Sequence, residues 1–203
     1  MNTSAKPRFW TTKMYNRLSR YYDAFMRTLF PAGEKGRKRV VEKMSTGRVL
    51  DVACGTGTLL ELAARKGISC FGIDISDGML EIAKSKRMDA EIINASYYDI
   101  PYPDNQFDYV VATNALSGGY IEPEKVLSEM IRVCKVGGEV FITEWPKARE
   151  DTFTERLIVW LASFSDDAPK DYEAIFRTLG YIPEIEKLEK RYYLYGIKKK
   201  LMA

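Results

Sequence analysis

Short apolar segments alternate with segments of helical periodicity between residues 48 and 144, and this alternation restricts the chain to few folds. Strands that alternate with helices across short connections form a parallel sheet covered by helices on both faces. The last helix of the series is expected to stop at Val136, Gly137 and Gly138. The pattern predicts strands at 48–52, 70–73, 91–94, 107–112 and 139–143, and helices at 58–66, 78–85 and 123–133.

The C-terminal part of the chain departs from this alternation. A helix is predicted at 172–179, followed by two strands at 182–188 and 191–198 with a short polar turn between them. This arrangement predicts an antiparallel hairpin that extends the edge of the sheet. Apolar residues at helical spacing also predict a helix at 152–164.

The N-terminal part is rich in aromatic side chains. Their spacing over residues 9–30 predicts one or two helices that pack on the rest of the protein. A break is expected at 31–33, before a helix that runs from the basic stretch 35–39 to about Met44. The basic stretch is open to two interpretations, contact with a phosphate or ordinary solvation.

These patterns together predict an α/β fold. We expect a Rossmann-like, doubly wound and mostly parallel sheet of seven strands that ends in an antiparallel hairpin. Residues 1–44 are predicted to form an N-terminal helical lid, and residues 45–203 the main domain, within one compact unit.

Composition excludes several classes of protein. The net charge of +3 does not by itself indicate binding to nucleic acid. The three cysteines form no CxxC pair, which favours reduced thiols in a cytoplasmic protein and argues against a metal site. Neither a membrane-spanning segment nor a signal peptide is predicted. Because the chain has no histidine, the most common general base and metal ligand is absent.

A glycine-rich turn is predicted directly after the first strand. Asp51 ends that strand, and the segment that follows contains Gly55 and Gly57 immediately before a helix. Glycines allow a close backbone approach to a ligand, and the helix start offers N–H donors. Asp74 ends the next strand about 20 residues later, where an acidic residue binds ribose hydroxyls in nucleotide-binding folds. The alternative for Asp74 is a helix cap, which Ser76 could equally provide.

The turn favours one class of nucleoside ligand. Dinucleotide sites require a third glycine, and Leu60 stands at that position. The Asp51 carboxylate would repel a pyrophosphate but attract a ligand that carries an ammonium and a sulfonium group.

Four segments in the expected order resemble the motifs of class I S-adenosylmethionine-dependent methyltransferases. The resemblance covers roughly residues 45–145 and implies S-adenosylmethionine as the cofactor. The matching segments are Val49-Leu50-Asp51-Val52-Ala53-Cys54-Gly55-Thr56-Gly57, Gly72-Ile73-Asp74-Ile75-Ser76 with Met79-Leu80, Asp99-Ile100-Pro101-Tyr102-Pro103-Asp104-Asn105-Gln106-Phe107-Asp108, and Arg132-Val133-Cys134-Lys135-Val136-Gly137-Gly138.

The resemblance also implies a role for individual residues. Asp74 would bind the ribose, Ile75 and Met79 would flank the adenine, and Ser96 and Tyr97 would reach the adenine edge. Many family members carry Asp where Ser96 stands, so a hydroxyl would replace a carboxylate there. The other implied cofactor contacts are Asp51, Ala53, Cys54, Gly55 and Gly57 around the methionine moiety, and Asn114 and Ala115 beside the sulfonium.

The segment after the fourth strand bears on the methyl acceptor. Methyltransferases that act on adenine N6 or a glutamine amide carry Asn/Asp-Pro-Pro-aromatic there, whereas this chain has Asn114-Ala115-Leu116-Ser117. The pattern is closer to the small-molecule and lipid branch, including ubiquinone/menaquinone methyltransferases. Tyr21-Tyr22-Asp23-x-Phe25 with the later Gly36-Arg37 also resembles bacterial phosphatidylethanolamine N-methyltransferases. We therefore expect a small-molecule or lipid-like acceptor such as a quinone precursor or an amine head group.

Residues for catalysis and substrate binding are harder to assign. Tyr22 and Glu144 are the candidate catalytic residues, and Tyr15, Tyr22 and Trp145 the candidate substrate contacts. The tyrosines could instead only pack the N-terminal helices onto the domain. The mixed basic and aromatic N-terminus could rest on an anionic membrane surface or form a solvated helix face.

Two other functions fit the same motifs. A catalytically silent cofactor-binding subunit that supports a partner would also keep the glycine turn and Asp74. An RNA or protein methyltransferase would share the fold, but the modest charge and the lack of a recognition domain argue against it.

Overall fold

The computed structural model describes residue 23 and residues 31–117, 121–145, 170–189 and 192–201. Helices and strands alternate along most of this range. The helices are α1 (Pro31–Lys43), α2 (Thr58–Arg65), α3 (Asp77–Ser85), α4 (Pro123–Val133) and α5 (Tyr172–Thr178). The strands are β1 (Arg48–Val52), β2 (Ser69–Asp74), β3 (Ala90–Asn94), β4 (Phe107–Thr113), β5 (Cys134–Glu144), β6 (Glu184–Glu189) and β7 (Tyr192–Lys198).

The seven strands form one sheet in the order β3-β2-β1-β4-β5-β7-β6. Strands β1 to β5 run parallel, while β7 pairs antiparallel with β5 and β6 antiparallel with β7. The predicted doubly wound sheet and its antiparallel hairpin are therefore confirmed. The strand order reverses between β1 and β4, and in open α/β sheets a ligand crevice lies at such a point, at the carboxyl ends of the strands.

Apolar side chains cover both faces of the sheet. On one face, Val126 of α4 and Phe176 of α5 are fully buried together with Leu50 of β1. On the other, Val40 of α1 and Leu59 of α2 are buried against Val49. Leu50 and Val49 are neighbours on β1, so the alternating directions of strand side chains supply a core to each face.

Several predicted boundaries are wrong in the structure. Residues 31–33 do not break the chain but lie inside α1, because a proline in the first turn of a helix loses no hydrogen bond. Helix α4 ends at Val133, but β5 already begins at Cys134. The predicted helix stop at Gly137 and Gly138 is therefore wrong, because both glycines belong to the strand. An irregular register between β4 and β5 accommodates this segment.

The basic stretch on α1 holds the helix against the terminal hairpin. Arg39 Nε donates to Glu186 at 2.6 Å, Lys43 lies 3.4 Å from the same carboxylate, and Lys35 pairs with Glu189. Exposed ion pairs contribute little stability one by one, but this group fixes where α1 lies relative to β6. Of the two interpretations of the basic stretch, ordinary solvation, here with intramolecular ion pairs, describes Lys35 and Arg39.

Other predictions fall outside the described residues. They concern the aromatic helices at 9–30, most of the lid at 1–44, and the helix at 152–164. In the described part of the chain, every helix is too short or too polar to cross a bilayer.

Candidate functional site

The connection from β1 to α2 has the backbone of a ligand-binding turn. Ala53, Gly55 and Gly57 adopt positive φ angles of 58°, 54° and 74°. The N–H group of Cys54 donates to the Ile73 carbonyl at 2.9 Å, which ties the turn to β2. Among the described residues, apart from the chain neighbours of Gly55, no atom lies within 4 Å of the position where a side chain at Gly55 would begin. A ligand can therefore approach the backbone here.

Asp74 lies at the carboxyl end of β2 and contacts this turn directly. Its carboxylate accepts hydrogen bonds from the N–H groups of Gly55 and Ser76, both at 2.8 Å. Burial raises the pKa of Asp74, and these backbone bonds oppose that shift. Helix α3 is capped by Ser76, whose hydroxyl accepts from the N–H of Met79 at 3.3 Å. The capping alternative for Asp74 is thus met by Ser76.

Asp51 lies deeper, at the carboxyl end of β1. It is 2% exposed, and its Oδ1 has no hydrogen-bond partner among the residues that the structure describes. Burial raises the pKa of Asp51 to about 8; Arg37 opposes this shift and Asp74 adds to it. A buried carboxylate with an unused oxygen matches a cationic ligand group.

The predicted adenine contacts lie beyond Asp74. The side chain of Ile75 is 57% exposed although it is apolar, and that of Met79 is buried. The Ser96 hydroxyl accepts from the N–H of Tyr98 at 3.1 Å, so one of its lone pairs serves its own turn. Tyr97 packs edge-on against Tyr98, with ring centroids 4.7 Å apart. An exposed isoleucine beside the acidic residue offers a flat apolar surface to a purine ring.

The carboxyl ends of β4 and β5 carry a second polar group. Asn114 adopts a φ of 54°, and its Oδ1 is buried with no partner among the described residues. The N–H of Asn114 donates to the Thr143 carbonyl at 2.9 Å. The hydroxyl of Tyr192, from β7, donates to Thr143 Oγ1 at 2.8 Å. Ala115, next to Asn114, is half-buried.

The two residues that finish β5 differ in exposure. Glu144 is fully buried and accepts a hydrogen bond from the N–H of Leu116 at 2.6 Å. Trp145 is half-buried, and its ring lies 5.1 Å from that of Tyr192. The structure thus gives Glu144 a contact that holds the segment after β4. Its role as a general base stays a prediction, as does substrate contact by Trp145.

Most of the predicted residues lie along one edge of the sheet. Asp51, Cys54, Gly55 and Gly57 surround the turn, and Asp74 contacts it. Asn114 and Ala115 follow on the β4 side. Tyr15 and Tyr22, the predicted lid contacts, lie outside the described residues, so their roles stay predictions.

Three residues near this edge were assigned no binding role from the sequence, although Asp23 and Arg37 lie in the segments that resemble phosphatidylethanolamine N-methyltransferases. Arg37 on α1 influences the pKa of Asp51. Asp23 accepts from the Thr56 hydroxyl at 2.5 Å and from Lys86 Nζ at 3.0 Å, so it links the N-terminal segment to the glycine turn. Tyr192 reaches Thr143 across 49 positions of sequence. Only the three-dimensional fold brings such distant residues together.

The described residues fit S-adenosylmethionine. The buried Asp51 suits its ammonium, Asp74 its ribose hydroxyls and the exposed Ile75 its adenine. The open space at Gly55 leaves room for the connecting atoms.

Comparison with known proteins gives consistent matches. Residues 50–142 match the family model of a methyltransferase domain. A demethylmenaquinone methyltransferase of Clavibacter sepedonicus is 33% identical over 190 residues, which cover 86% of this chain and 77% of that protein. One of Renibacterium salmoninarum is 34% identical over 148 residues, which cover 70% of this chain but only 62% of the relative's length.

A solved structure shares the fold. The SAM-dependent methyltransferase from Aquifex aeolicus superposes with a TM-score of 0.67 at 20% identity, over 92% of this chain and 97% of that one. At this identity the likeness shows the fold alone. It agrees with the topology described above.

Proposed function

This chain belongs to the class I S-adenosylmethionine-dependent methyltransferases, and from that premise we propose that it methylates the aromatic ring of a quinone-type small molecule. The observation that carries the proposal is the pair Asp51 and Asp74 on either side of the open turn at Gly55. Its relatives that bear the name demethylmenaquinone methyltransferase support the acceptor class.

The proposed binding roles follow from charge and exposure. Asp51 receives the ammonium of the cofactor, because a buried carboxylate is stabilised by a cation. Asp74 accepts the ribose hydroxyls with the lone pairs that its two backbone bonds leave available. Ile75 and Met79 contact the adenine from the start of α3. The bound cofactor supplies an electrophilic methyl group on its sulfonium sulfur.

The remaining task of the chain is to hold the acceptor in line with that methyl group. Alignment of two reactants removes much of the barrier to displacement. Asn114 and Ala115 are proposed to lie beside the reacting atoms. Trp145, Tyr15 and Tyr22 are proposed to surround the acceptor. The hydroxyl groups of a reduced quinone already make its ring carbon nucleophilic. That carbon bonds to the methyl group as the methyl–sulfur bond breaks, S-adenosylhomocysteine leaves, and the proton of the same ring carbon passes to solvent. The lack of histidine is therefore compatible with this reaction.

We propose further that residues 1–44 act as a lid over this edge. The contacts of Asp23 with Thr56 and Lys86 support this, because they join the N-terminal segment to the turn. Basic and aromatic residues near the N-terminus suit a surface where lipid-soluble acceptors reside. Co-sedimentation of the full chain with vesicles tests the membrane contact. We expect binding to anionic but not to neutral vesicles, and binding to neither would contradict this contact.

The proposed reaction can be tested with labelled S-adenosylmethionine. The full chain is incubated with a reduced demethylmenaquinone of short isoprenoid length, and the product is identified by mass spectrometry. We expect a quinone with one added methyl group, and much less of it with Asp74→Ala. Label in phosphatidylethanolamine, RNA or protein instead would overturn the acceptor class. Cofactor binding without transfer to any of these acceptors would favour a supporting subunit.

A further inference from the structure

Arg37 differs from every other basic residue of α1. The remaining four all form ion pairs with glutamates: Lys35 with Glu189, Lys38 with Glu34, Arg39 with Glu42 and Glu186, and Lys43 with Glu186. For Arg37 no ion pair occurs within the described ranges, and its Nε is buried without a hydrogen-bond partner there. A buried guanidinium nitrogen without a partner is costly, and it indicates a place for an anion.

We propose that Arg37 binds the carboxylate of the methionine moiety of the cofactor, while Asp51 takes the neighbouring ammonium. This inference rests on the proposed function, since it assigns a further residue to the same cofactor. With this role for Arg37, α1 contributes a side chain to the binding site in addition to packing on the sheet.

Two glycines let α1 approach the sheet closely enough to deliver this side chain. A side chain at Gly33 would begin 2.8 Å from Asn114 Nδ2 and 3.7 Å from an Arg37 guanidinium nitrogen, Nη1. A side chain at Gly36 would begin 2.6 Å from the ring of Tyr192. The Arg37 guanidinium and the Asn114 amide therefore both lie close to Gly33, where α1 approaches the sheet. That point is at the carboxyl end of β4, where the crevice of the sheet opens.

The charge of the Arg37 guanidinium also acts on Asp51. Arg37 lowers the pKa of Asp51 against the effect of burial, and it also lowers that of Tyr192. Asp74 acts on Asp51 in the opposite direction. Yet Arg37 and Asp51 form no ion pair, and each keeps a buried polar atom without a partner among the described residues.

A cation and an anion that are close but not paired match a zwitterion. The amino-acid end of S-adenosylmethionine carries an ammonium and a carboxylate on the same carbon. Asp51 with its unused Oδ1 and Arg37 with its unused Nε can each receive the group of opposite charge. Both buried atoms would then have a partner of opposite charge.

Three ligands that differ only at the amino-acid end can test this assignment. All three are thioethers: S-adenosylhomocysteine carries both charged groups, decarboxylated S-adenosylhomocysteine only the ammonium, and methylthioadenosine neither. Calorimetric titrations of the full-length wild type, Arg37→Gln and Asp51→Asn would measure the affinity for each. Arg39→Gln serves as the matched control, because Arg39 lies on the same helix but its guanidinium already pairs with Glu186 of β6.

Arg37→Gln is expected to weaken the binding of S-adenosylhomocysteine about 10- to 100-fold and to leave the affinities for the other two ligands unchanged. Asp51→Asn is expected to weaken the binding of both ligands that carry an ammonium. Arg37→Lys should restore part of the loss, because it keeps the charge. Arg39→Gln should change none of the affinities.

Two results would overturn the assignment of Arg37. One is an unchanged affinity of Arg37→Gln for S-adenosylhomocysteine. The other is an equal loss for methylthioadenosine, which would indicate damage to the fold or to the nucleoside site. Failure of the proposed function looks different: without cofactor binding the wild type would bind none of the three ligands, and with another acceptor these affinities would hold while no methylated quinone forms.

Discussion

The carboxyl edge of the sheet has two halves that are built in different ways. The cofactor half comprises Asp51, the glycine turn and Asp74 at the ends of β1 and β2. The acceptor half comprises Asn114, Thr143 and Tyr192 at the ends of β4, β5 and β7. In the first, the Asp74 carboxylate bonds to N–H groups 19 and 2 positions away. In the second, the Tyr192 hydroxyl bonds across 49 positions.

This difference decides what can be inferred about function. Local motifs indicate the cofactor, because one strand, one turn and the next strand bring Asp51, Gly55 and Asp74 together, even though the proposed role of Arg37 adds a residue from α1. The proposed acceptor half consists of residues that only the fold brings together. Methyltransferases can thus keep one cofactor half while the other half changes with the substrate.

The largest expected effect concerns the cofactor half. Asp74→Ala removes the acceptor for the N–H groups of Gly55 and Ser76 as well as the proposed ribose contacts. Two charged hydrogen bonds to the ribose contribute about 3 kcal/mol, so affinity for S-adenosylmethionine should fall about 100-fold by calorimetry. Glu81→Ala, an exposed acidic position on α3, is the control and should bind like the wild type. Equal affinity of the two variants would remove Asp74 from the site.

The next effect concerns the approach of α1 to the acceptor half. Gly36→Val places a branched side chain where even the first carbon would lie 2.6 Å from Tyr192. Overpacking of this kind should lower the free energy of unfolding by about 2 kcal/mol, as measured in urea.

Lys38→Val is the matched control for this prediction. It introduces the same side chain on the same helix, at a lysine whose pair with Glu34 is exposed. We expect a change of less than about 1 kcal/mol there, from helix propensity and the lost pair. Similar losses at both positions would contradict the close contact of Gly36 with β7.

A smaller effect follows from the pKa of Asp51, which burial raises from an ordinary value of 3.8 to about 8. A carboxyl with a raised pKa holds a proton in the folded state that the unfolded state has lost. Stability of the ligand-free protein should therefore decrease as pH rises from about 4 to about 8. Binding of the cofactor ammonium requires the ionised form, so affinity should rise about tenfold per pH unit below 8.

Asp51→Asn removes this titration while keeping the shape of the side chain. Its affinity for S-adenosylhomocysteine should be low and nearly independent of pH between 6 and 8. Affinity of the wild type that falls as pH rises over this range would contradict the assignment of the ammonium to Asp51.

The smallest effect is expected at the far end of the acceptor half. Tyr192→Phe removes the hydroxyl that donates to the buried Thr143 at 2.8 Å. The loss should lower the free energy of unfolding by about 1 kcal/mol and leave cofactor affinity unchanged. Tyr193→Phe, at the half-buried neighbouring position, should have almost no effect. A tenfold loss of cofactor affinity in Tyr192→Phe would show that the two halves are not separate.

The sequence allowed the order of strands and helices to be predicted because each element carries its own periodicity. Strand β1 and helix α4 have the predicted bounds, and the hairpin of β6 and β7 is antiparallel as expected. The start of β5 was missed because Gly137 and Gly138 resemble a helix stop. Residues 31–33 were misread as a break for a similar reason, since proline and glycine usually interrupt a helix.

The candidate site could be predicted only where its residues are close in sequence. Asp51, Gly55 and Asp74 belong to one motif, so their proximity followed from the fold class. Arg37 is one of five basic residues on α1, and the resemblance that includes Gly36-Arg37 assigns it no binding role. In the structure the two are distinguished by the buried, unpartnered Nε of Arg37 and by the pairing of Arg39 with Glu186.

A crystal structure of the full chain with S-adenosylhomocysteine would test the division of the edge most directly. We expect the ribose hydroxyls at Asp74, the amino-acid end at Asp51 and the sulfur directed toward Asn114. The cofactor would then lie on the β1–β2 half with its reactive side facing the ends of β4 and β5. A ligand bound with its adenine at Asn114, or away from the glycine turn, would contradict this arrangement.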